Sequence, residues 1–161
     1  MNKTIDLKKD EISYREVNIN DSQDLFKWRN DKLARKMFRN SERVNFDQHH
    51  EWLSERIIDN NCYFLIFSKD GFRKIGYVRF DIKDKFAEIS INISPFERGN
   101  GYATKCLLLA IKSFQEKYSE VTKLIAEIKT SNIASKKSFQ KAGFKVVRDD
   151  GEFWQLNQSI Y

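Results

Sequence analysis

The sequence predicts an α+β fold built on a mixed, mostly antiparallel sheet flanked by helices. Three observations carry this. Apolar residues alternate from Phe86 to Ile93, as on a strand with one buried face; they recur at helical spacing from Tyr102 to Lys117; and the turn Arg98-Gly99-Asn100-Gly101 joins the two segments. Strand-like and helix-like segments follow one another along the chain without a linker or an internal repeat, and short strands with helices packed on them make an α+β architecture.

Residues 12 to 17 form a short opening strand. Asn20 or Asp21 can cap the helix that follows through Leu25, Trp28 and Arg29, because a short polar side chain there accepts from the free first-turn amides. Asp47 can cap a second helix containing Trp52, Leu53, Ile57 and Ile58, which ends near Asn60-Asn61. Three strands follow, Tyr63 to Phe67, Ile75 to Phe80 and Phe86 to Ile93, separated by Asp70-Gly71 and by the polar stretch Asp81 to Lys85. In the third, Ala87, Ile89, Ile91 and Ile93 face the core while Glu88, Ser90 and Asn92 form a polar face.

The helix from Tyr102 buries Ala103, Leu107, Ala110, Ile111 and Phe114. A strand over Lys123 to Lys129 precedes a helix after Asn132 that buries Ser135, Phe139 and Ala142, with Gly143 at the left-handed position that ends it. A last hairpin pairs Phe144 to Arg148 with Glu152 to Ile160 around Asp149-Asp150-Gly151.

Composition agrees with one domain over residues 1 to 161. A chain that is 40% hydrophobic and 14% aromatic is globular, and 161 residues bury a core without disulfide or metal staples. No apolar run approaches the ~18 residues of a membrane span. Lys3, Asp6, Lys8, Lys9, Asp10, Glu11, Arg15 and Glu16 leave no apolar core for a signal peptide, so the protein is expected in the cytoplasm. Cys62 and Cys106 lack metal or redox spacing and read as small buried hydrophobes. The net charge of +6, from 29 basic and 23 acidic residues, favours anionic partners. The basic residues are scattered and form no stripe, which favours phosphate-bearing small molecules over nucleic acid.

The turn before Tyr102 is suited to phosphate. Amides at a helix start have no intrahelical partner and carry the positive end of the helix dipole, and Gly99 and Gly101 allow close approach of the backbone. A third glycine for a dinucleotide fingerprint and the Lys-Ser/Thr of a Walker loop are both missing. Some thirty residues on, Asn132-Ile133-Ala134-Ser135 opens the last helix and Gly143-Phe144 follows it. Together these resemble the acyl-CoA-binding half of the GNAT N-acetyltransferases: Arg98, Gly101 and Ala103 match its Arg/Gln-x-x-Gly-x-Gly/Ala motif, and Asn132, Gly143 and Phe144 match its second motif, a likeness covering residues 74 to 147.

The resemblance implies a GNAT fold with the sheet splayed between Phe86–Ile93 and Lys123–Lys129, acetyl-CoA as co-substrate, and no metal. The pantetheine arm would lie in the opening and bond the backbone at Ile91 and Ile93 as an added strand. Arg98, Gly99, Asn100, Gly101, Tyr102, Ala103 and Thr104 would receive the pyrophosphate, with Asn132, Ser135 and Phe139 beside the arm. Direct acyl transfer needs a base for the acceptor ammonium, for which Glu88 is the first candidate and Glu127 the second. Many relatives carry a tyrosine as proton donor seven residues after the asparagine; here that position is Phe139, so Ser135 or water must substitute.

The N-terminal third holds Trp28-Arg29-Asn30, Arg35-Lys36-Met37-Phe38 and His49-His50-Glu51-Trp52. With Gly76-x-x-Arg79-Phe80, this resembles the GNAT branch that acetylates UDP-linked 4-amino sugars in pseudaminic and related nonulosonic acid synthesis. The resemblance implies an acceptor site of Trp28, Arg29, Asn30, Arg35, Phe38, His49, Trp52 and Arg79, since arginine pairs phosphate bidentately and aromatic faces stack on uracil. His49 reads first as a hydrogen-bonding residue of the helix's first turn, with a base role as the alternative. Trp-Arg-Asn also occurs in enzymes that acetylate the N-termini of ribosomal proteins. Protein acetylation is therefore a second reading, a non-catalytic acyl-CoA or nucleic-acid binding module a third, and a homodimer is compatible with each.

Overall fold

The computed structural model describes residues 11–160. The single-domain expectation over residues 1 to 161, and the charged positions from Lys3 to Asp10, extend outside the described residues. Seven strands form one sheet: β1 Ile12–Glu16, β2 Cys62–Lys69, β3 Arg73–Lys83, β4 Phe86–Ile93, β5 Lys123–Lys129, β6 Lys145–Asp149 and β7 Phe153–Ser159. Their spatial order is β1-β2-β3-β4-β5-β7-β6, antiparallel throughout except for the parallel pair β4–β5. Helices α1 Ser22–Asn30, α2 Lys32–Met37 and α3 Phe46–Ile58 precede β2, while α4 Tyr102–Lys117 and α5 Ile133–Lys141 flank β5 in sequence.

The helices lie on both faces. One core joins α4 and α5 to the sheet through Leu107, Ala110, Phe114, Phe139, Phe67, Phe80, Leu124 and Leu156. A second joins α1 and α3 to the opposite face through Leu25, Trp28, Leu53, Phe64, Ile66 and Tyr77. This corrects the expected polar face of β4: Asn92 is buried and donates from Nδ2 to the Trp28 carbonyl at 3.3 Å, because α1 covers it. Ala103 and Ser135, expected buried, are half-buried at the margin of the other layer. Cys106 is buried and Cys62 half-buried; burial pushes their thiols up to about 12 and about 11, so both stay protonated.

The N-terminal caps differ from expectation in an informative way. Asn18 caps a 3-10 turn ahead of α1, and Asn45, not Asp47, caps α3 by accepting from the amides of Asp47 and Gln48. Asp21 has no side-chain capping bond to α1. It is fully buried instead, bound by Arg15 at 2.7 and 2.8 Å, by Lys74 at 2.9 Å and by the Asn18 amide at 2.9 Å. Burial works against its charge, but Arg15, the Asn18 amide and Lys74 outweigh it and hold the carboxyl well below the usual range. Arg15 is on β1 and Lys74 on β3, so one carboxylate ties the start of the helical layer to two strands.

His49 contributes the opposite pH signature. It is 8% exposed, packs against Phe26 and Trp52 at ring distances of 6.0 and 5.3 Å, and its Nδ1 has no hydrogen-bond partner among the described residues. Burial, then repulsion from Arg29 and His50, lowers it to about 4. Its folded pKa thus lies below the ordinary ~6.5, so the unfolded chain takes up a proton first and stability falls as pH drops from ~6.5 towards 4. That window is worth on the order of 3 kcal/mol at ~1.4 kcal/mol per pH unit. Thermal unfolding of His49→Phe should lack the loss that His49 contributes in this window, while the loss below pH ~4 from Asp21 remains; parallel curves for variant and parent above pH ~4 would refute the assignment.

Candidate active site

The site begins where two strands part. β4 and β5 pair only through Phe86–Lys123, Ala87–Leu124 and Glu88–Ile125. Beyond that register, residues 89 to 93 remain paired with β3 on one side but have no strand on the other, and 126 to 129 likewise pair only with β7. A cavity of about 540 Å³ occupies the opening. Ile91 and Ile93 line one side, Glu127 and Lys129 the other, with Tyr102 and Ala103 of α4 and Ser135 and Phe139 of α5 at its end.

The turn into α4 suits an anion. Gly99 and Gly101 adopt φ of +78° and +75°, the left-handed region in which side chains are strained. A Cβ built on either meets no atom within 4 Å, so the space above the turn is open to a ligand. Gly101 is the N-cap of α4 and supplies no side chain, leaving the first-turn amides to an external acceptor. Asn100 braces the turn by donating to the carbonyls of Glu97 and Arg98 at 3.1 and 3.5 Å. Arg98 donates to Asp31 at 2.9 Å, and Asp31 also caps α2 at the Ala34 amide. Tyr102 accepts from Lys69 at 3.0 Å, and Thr104 is half-buried in the first turn of α4 without lining the cavity.

On α5, the Asn132 side chain caps the helix by accepting from the Ser135 amide at 3.2 Å. Phe139 is 2% exposed, with its ring edge-on to Phe144 at 5.0 Å, and forms an apolar wall. No group of three or more His, Cys, Asp or Glu suited to a metal occurs among the described residues. These features fit acetyl-CoA: an uncapped helix start for pyrophosphate, an unpaired strand edge for pantetheine amides, and a cavity joining them.

Glu88 is not at the cavity. It lies at the last paired register, before the strands part, half exposed and bound to Lys83 at 2.9 Å. Glu127 lies beyond the parting and does line the cavity.

The expected acceptor residues divide into groups, and only Phe38 lines this cavity. Trp28 is 6% exposed and belongs to the second core, and Asn30 exchanges two hydrogen bonds with the backbone of Val44, so both act in packing the layer. Arg29 lies over the Phe38 ring at 4.6 Å and donates to the carbonyls of Asn40 and Glu42. Arg35 donates to the Ser41 carbonyl at 3.4 Å, and its buried Nε has no partner among the described residues. Arg29 and Arg35 donate to the consecutive carbonyls of Asn40, Ser41 and Glu42, and burial together with repulsion from Arg35 lowers the Arg29 pKa. Arg79 pairs with Asp81 at 2.9 Å and lies over Trp52 at 5.2 Å, and Trp52 also packs against His49 with the rings tilted by 40°. His49, expected as a hydrogen-bonding residue, has no partner at Nδ1 among the described residues.

Sequence reasoning missed α2, whose Leu33, Ala34 and Met37 wall the cavity. Its one signal was Asp31, a good N-cap directly after Asn30. No helix among the described residues is long and apolar enough to cross a membrane.

Comparison with known proteins agrees with this architecture. The chain resembles the spermidine N-acetyltransferase of Vibrio cholerae solved with CoA and spermine, at 17% identity over 92% of this chain and 95% of the other, with a TM-score of 0.80. A domain from Methanocaldococcus jannaschii aligns at 24% identity over 94% and 99% of the two chains, with a TM-score of 0.79. An aminoglycoside acetyltransferase, AAC(6')-Ib, solved with coenzyme A and kanamycin aligns at 19% identity over 92% and 95%, with a TM-score of 0.75. No curated protein matches the sequence. The family model of the acetyltransferase (GNAT) domain matches residues 12–145. With the parted strands, the uncapped α4 turn and this match in place, the chain belongs to the GNAT acetyltransferase family and is an acetyl-CoA-dependent N-acetyltransferase.

Proposed function

We propose that the acceptor is the amino group of a UDP-linked amino sugar and that Glu127 receives its proton. The observation that carries the acceptor reading is the Arg29–Arg35 pair. Among the described residues both guanidiniums donate to backbone carbonyls and neither pairs with a carboxylate, and Arg29 lies over the ring of Phe38, which lines the cavity. A pyrophosphate is a better partner than a carbonyl for such a pair, because it brings opposite charge and oxygens that a planar guanidinium can pair bidentately. Spermine and kanamycin, bound by the two named neighbours, are polycations that this pair would repel.

In this reading Gly99, Gly101 and the first turn of α4 hold the pyrophosphate of acetyl-CoA, and the edge of β4 at Ile91 and Ile93 orients its arm. The acceptor enters from the α2 side. Glu127 takes one proton from the ammonium, the nitrogen lone pair attacks the thioester carbonyl, the carbon–sulfur bond breaks, and the second proton, released by the nitrogen as the amide forms, reaches the thiolate through Ser135 or water acting as a relay. Phe139 has no proton to give and serves as the apolar wall of the thioester site.

Gly101→Val tests the coenzyme cradle. Calorimetry should show acetyl-CoA binding weakened at least tenfold, about 1.4 kcal/mol, in a folded variant; unchanged affinity would refute the cradle. For the base, Glu127→Gln should lower single-turnover acetylation about a hundredfold with coenzyme affinity retained, whereas Glu88→Gln should leave it unaltered. Loss in Glu88→Gln alone would reverse the assignment.

The acceptor is tested with a panel of a UDP-4-amino sugar, spermidine, kanamycin and a peptide with a free N-terminus. The UDP sugar should be acetylated fastest, and UDP at ~100 times its Kd should stabilise the fold by about 2.7 kcal/mol. Arg29→Ala and Arg35→Ala should each abolish that thermal shift. Preferential acetylation of the peptide, with no shift by UDP, would move the reading to protein acetylation.

A further inference from the structure

Residues 36 to 39, at the end of α2 and just beyond it, are tied to β5 across the mouth of the cavity. Arg39 reaches Glu127 with two donors, Nε at 3.0 Å and Nη2 at 2.8 Å, and both land on Oε1. Neither uses Oε2. The same guanidinium lies over the Phe153 ring at 4.1 Å, on the strand next to β5. Two residues along β5, on the same face as Glu127, Lys129 donates to the Lys36 carbonyl at 3.1 Å, and Ser131 approaches the Met37 sulfur at 3.9 Å. The segment thus fastened carries Met37 and Phe38, which wall the cavity that Glu127 also lines.

Stability alone does not account for this contact. Arg39 and Glu127 are 63% and 51% exposed, and exposed ion pairs contribute little to folding. What the contact does fix is the position of one carboxylate oxygen and of the wall facing it. We propose that Arg39 is a positioning residue of the acetyl-transfer reaction: it holds Glu127 by Oε1, leaves Oε2 for the acceptor ammonium, and keeps the α2 wall closed over the parted strands. The inference rests on the reading of Glu127 as proton acceptor.

Arg39 and the acceptor ammonium then share one carboxylate. Removing the guanidinium gives the ammonium sole possession of Glu127 in the ground state, while the carboxylate and the wall lose the hold that aligns them for reaction. Both kinetic constants should fall together, a pattern that simple loss of structure does not produce.

The experiment is steady-state and single-turnover kinetics of Arg39→Ala and Arg39→Lys with the best acceptor of the panel, alongside calorimetry with acetyl-CoA and thermal unfolding. In Arg39→Ala, kcat should fall about tenfold and the acceptor KM severalfold, with coenzyme Kd and Tm unchanged. Arg39→Lys should return KM to the parent value and recover kcat only in part, since lysine restores the charge without the planar two-donor hold. Unchanged kcat and KM in Arg39→Ala, or a raised KM at unchanged kcat, would overturn the proposal. Glu127→Gln separates the two readings: its inactivity together with an unaffected Arg39→Ala overturns the role of Arg39 alone, and full activity of Glu127→Gln overturns both.

Discussion

The parting of β4 from β5 is the constraint on which the rest of the site depends. Three residue pairs hold the two strands together, and beyond them each strand keeps a partner on its outer side only. Backbone groups along the inner edge of residues 89 to 93 are therefore left beside a cavity, where an unpaired polar group is costly. The opening is stable because both flanks are anchored in one core, which β3–β4 and β5–β7 share with α4 and α5, while α2 walls the cavity. A ligand that presents amides along its length satisfies that edge as a strand would, which is why a pantetheine arm suits it.

The same parting sorts the carboxylates. Glu88 falls in the last paired register and points away from the opening into a surface ion pair with Lys83. Glu127 lies in the divergent half of β5 and meets the cavity. A difference in register, not in residue chemistry, separates a carboxylate outside the opening from one that lines it.

Charge is partitioned in a related way. Asp21, Asp24 and Asp31 are engaged with Arg15, Lys74 and Arg98, contacts that fasten the N-terminal helices to the sheet and to the α4 turn. Arg29 and Arg35 are left with carbonyl partners near the cavity wall. The excess of basic residues in the composition thus has a local expression at the loop of residues 40 to 42, one that scattered positions along the chain did not reveal.

Periodicity and turn chemistry in the sequence were sufficient for the bounds of β4, α4 and β5 and for the glycine turn before α4, because each rests on local rules: alternation, helical spacing, and glycine where φ is positive. The tertiary structure alone decided what depends on distant partners. Asp21 reads locally as a helix cap and is instead the buried partner of two strands; Asn92 reads as solvent-facing and is covered by α1; α2 is too short for a periodic signal and is held by its cap and by β5. Arg39 and Glu127 are 88 positions apart and meet only when the sheet is assembled, so no spacing rule within the chain could have joined them.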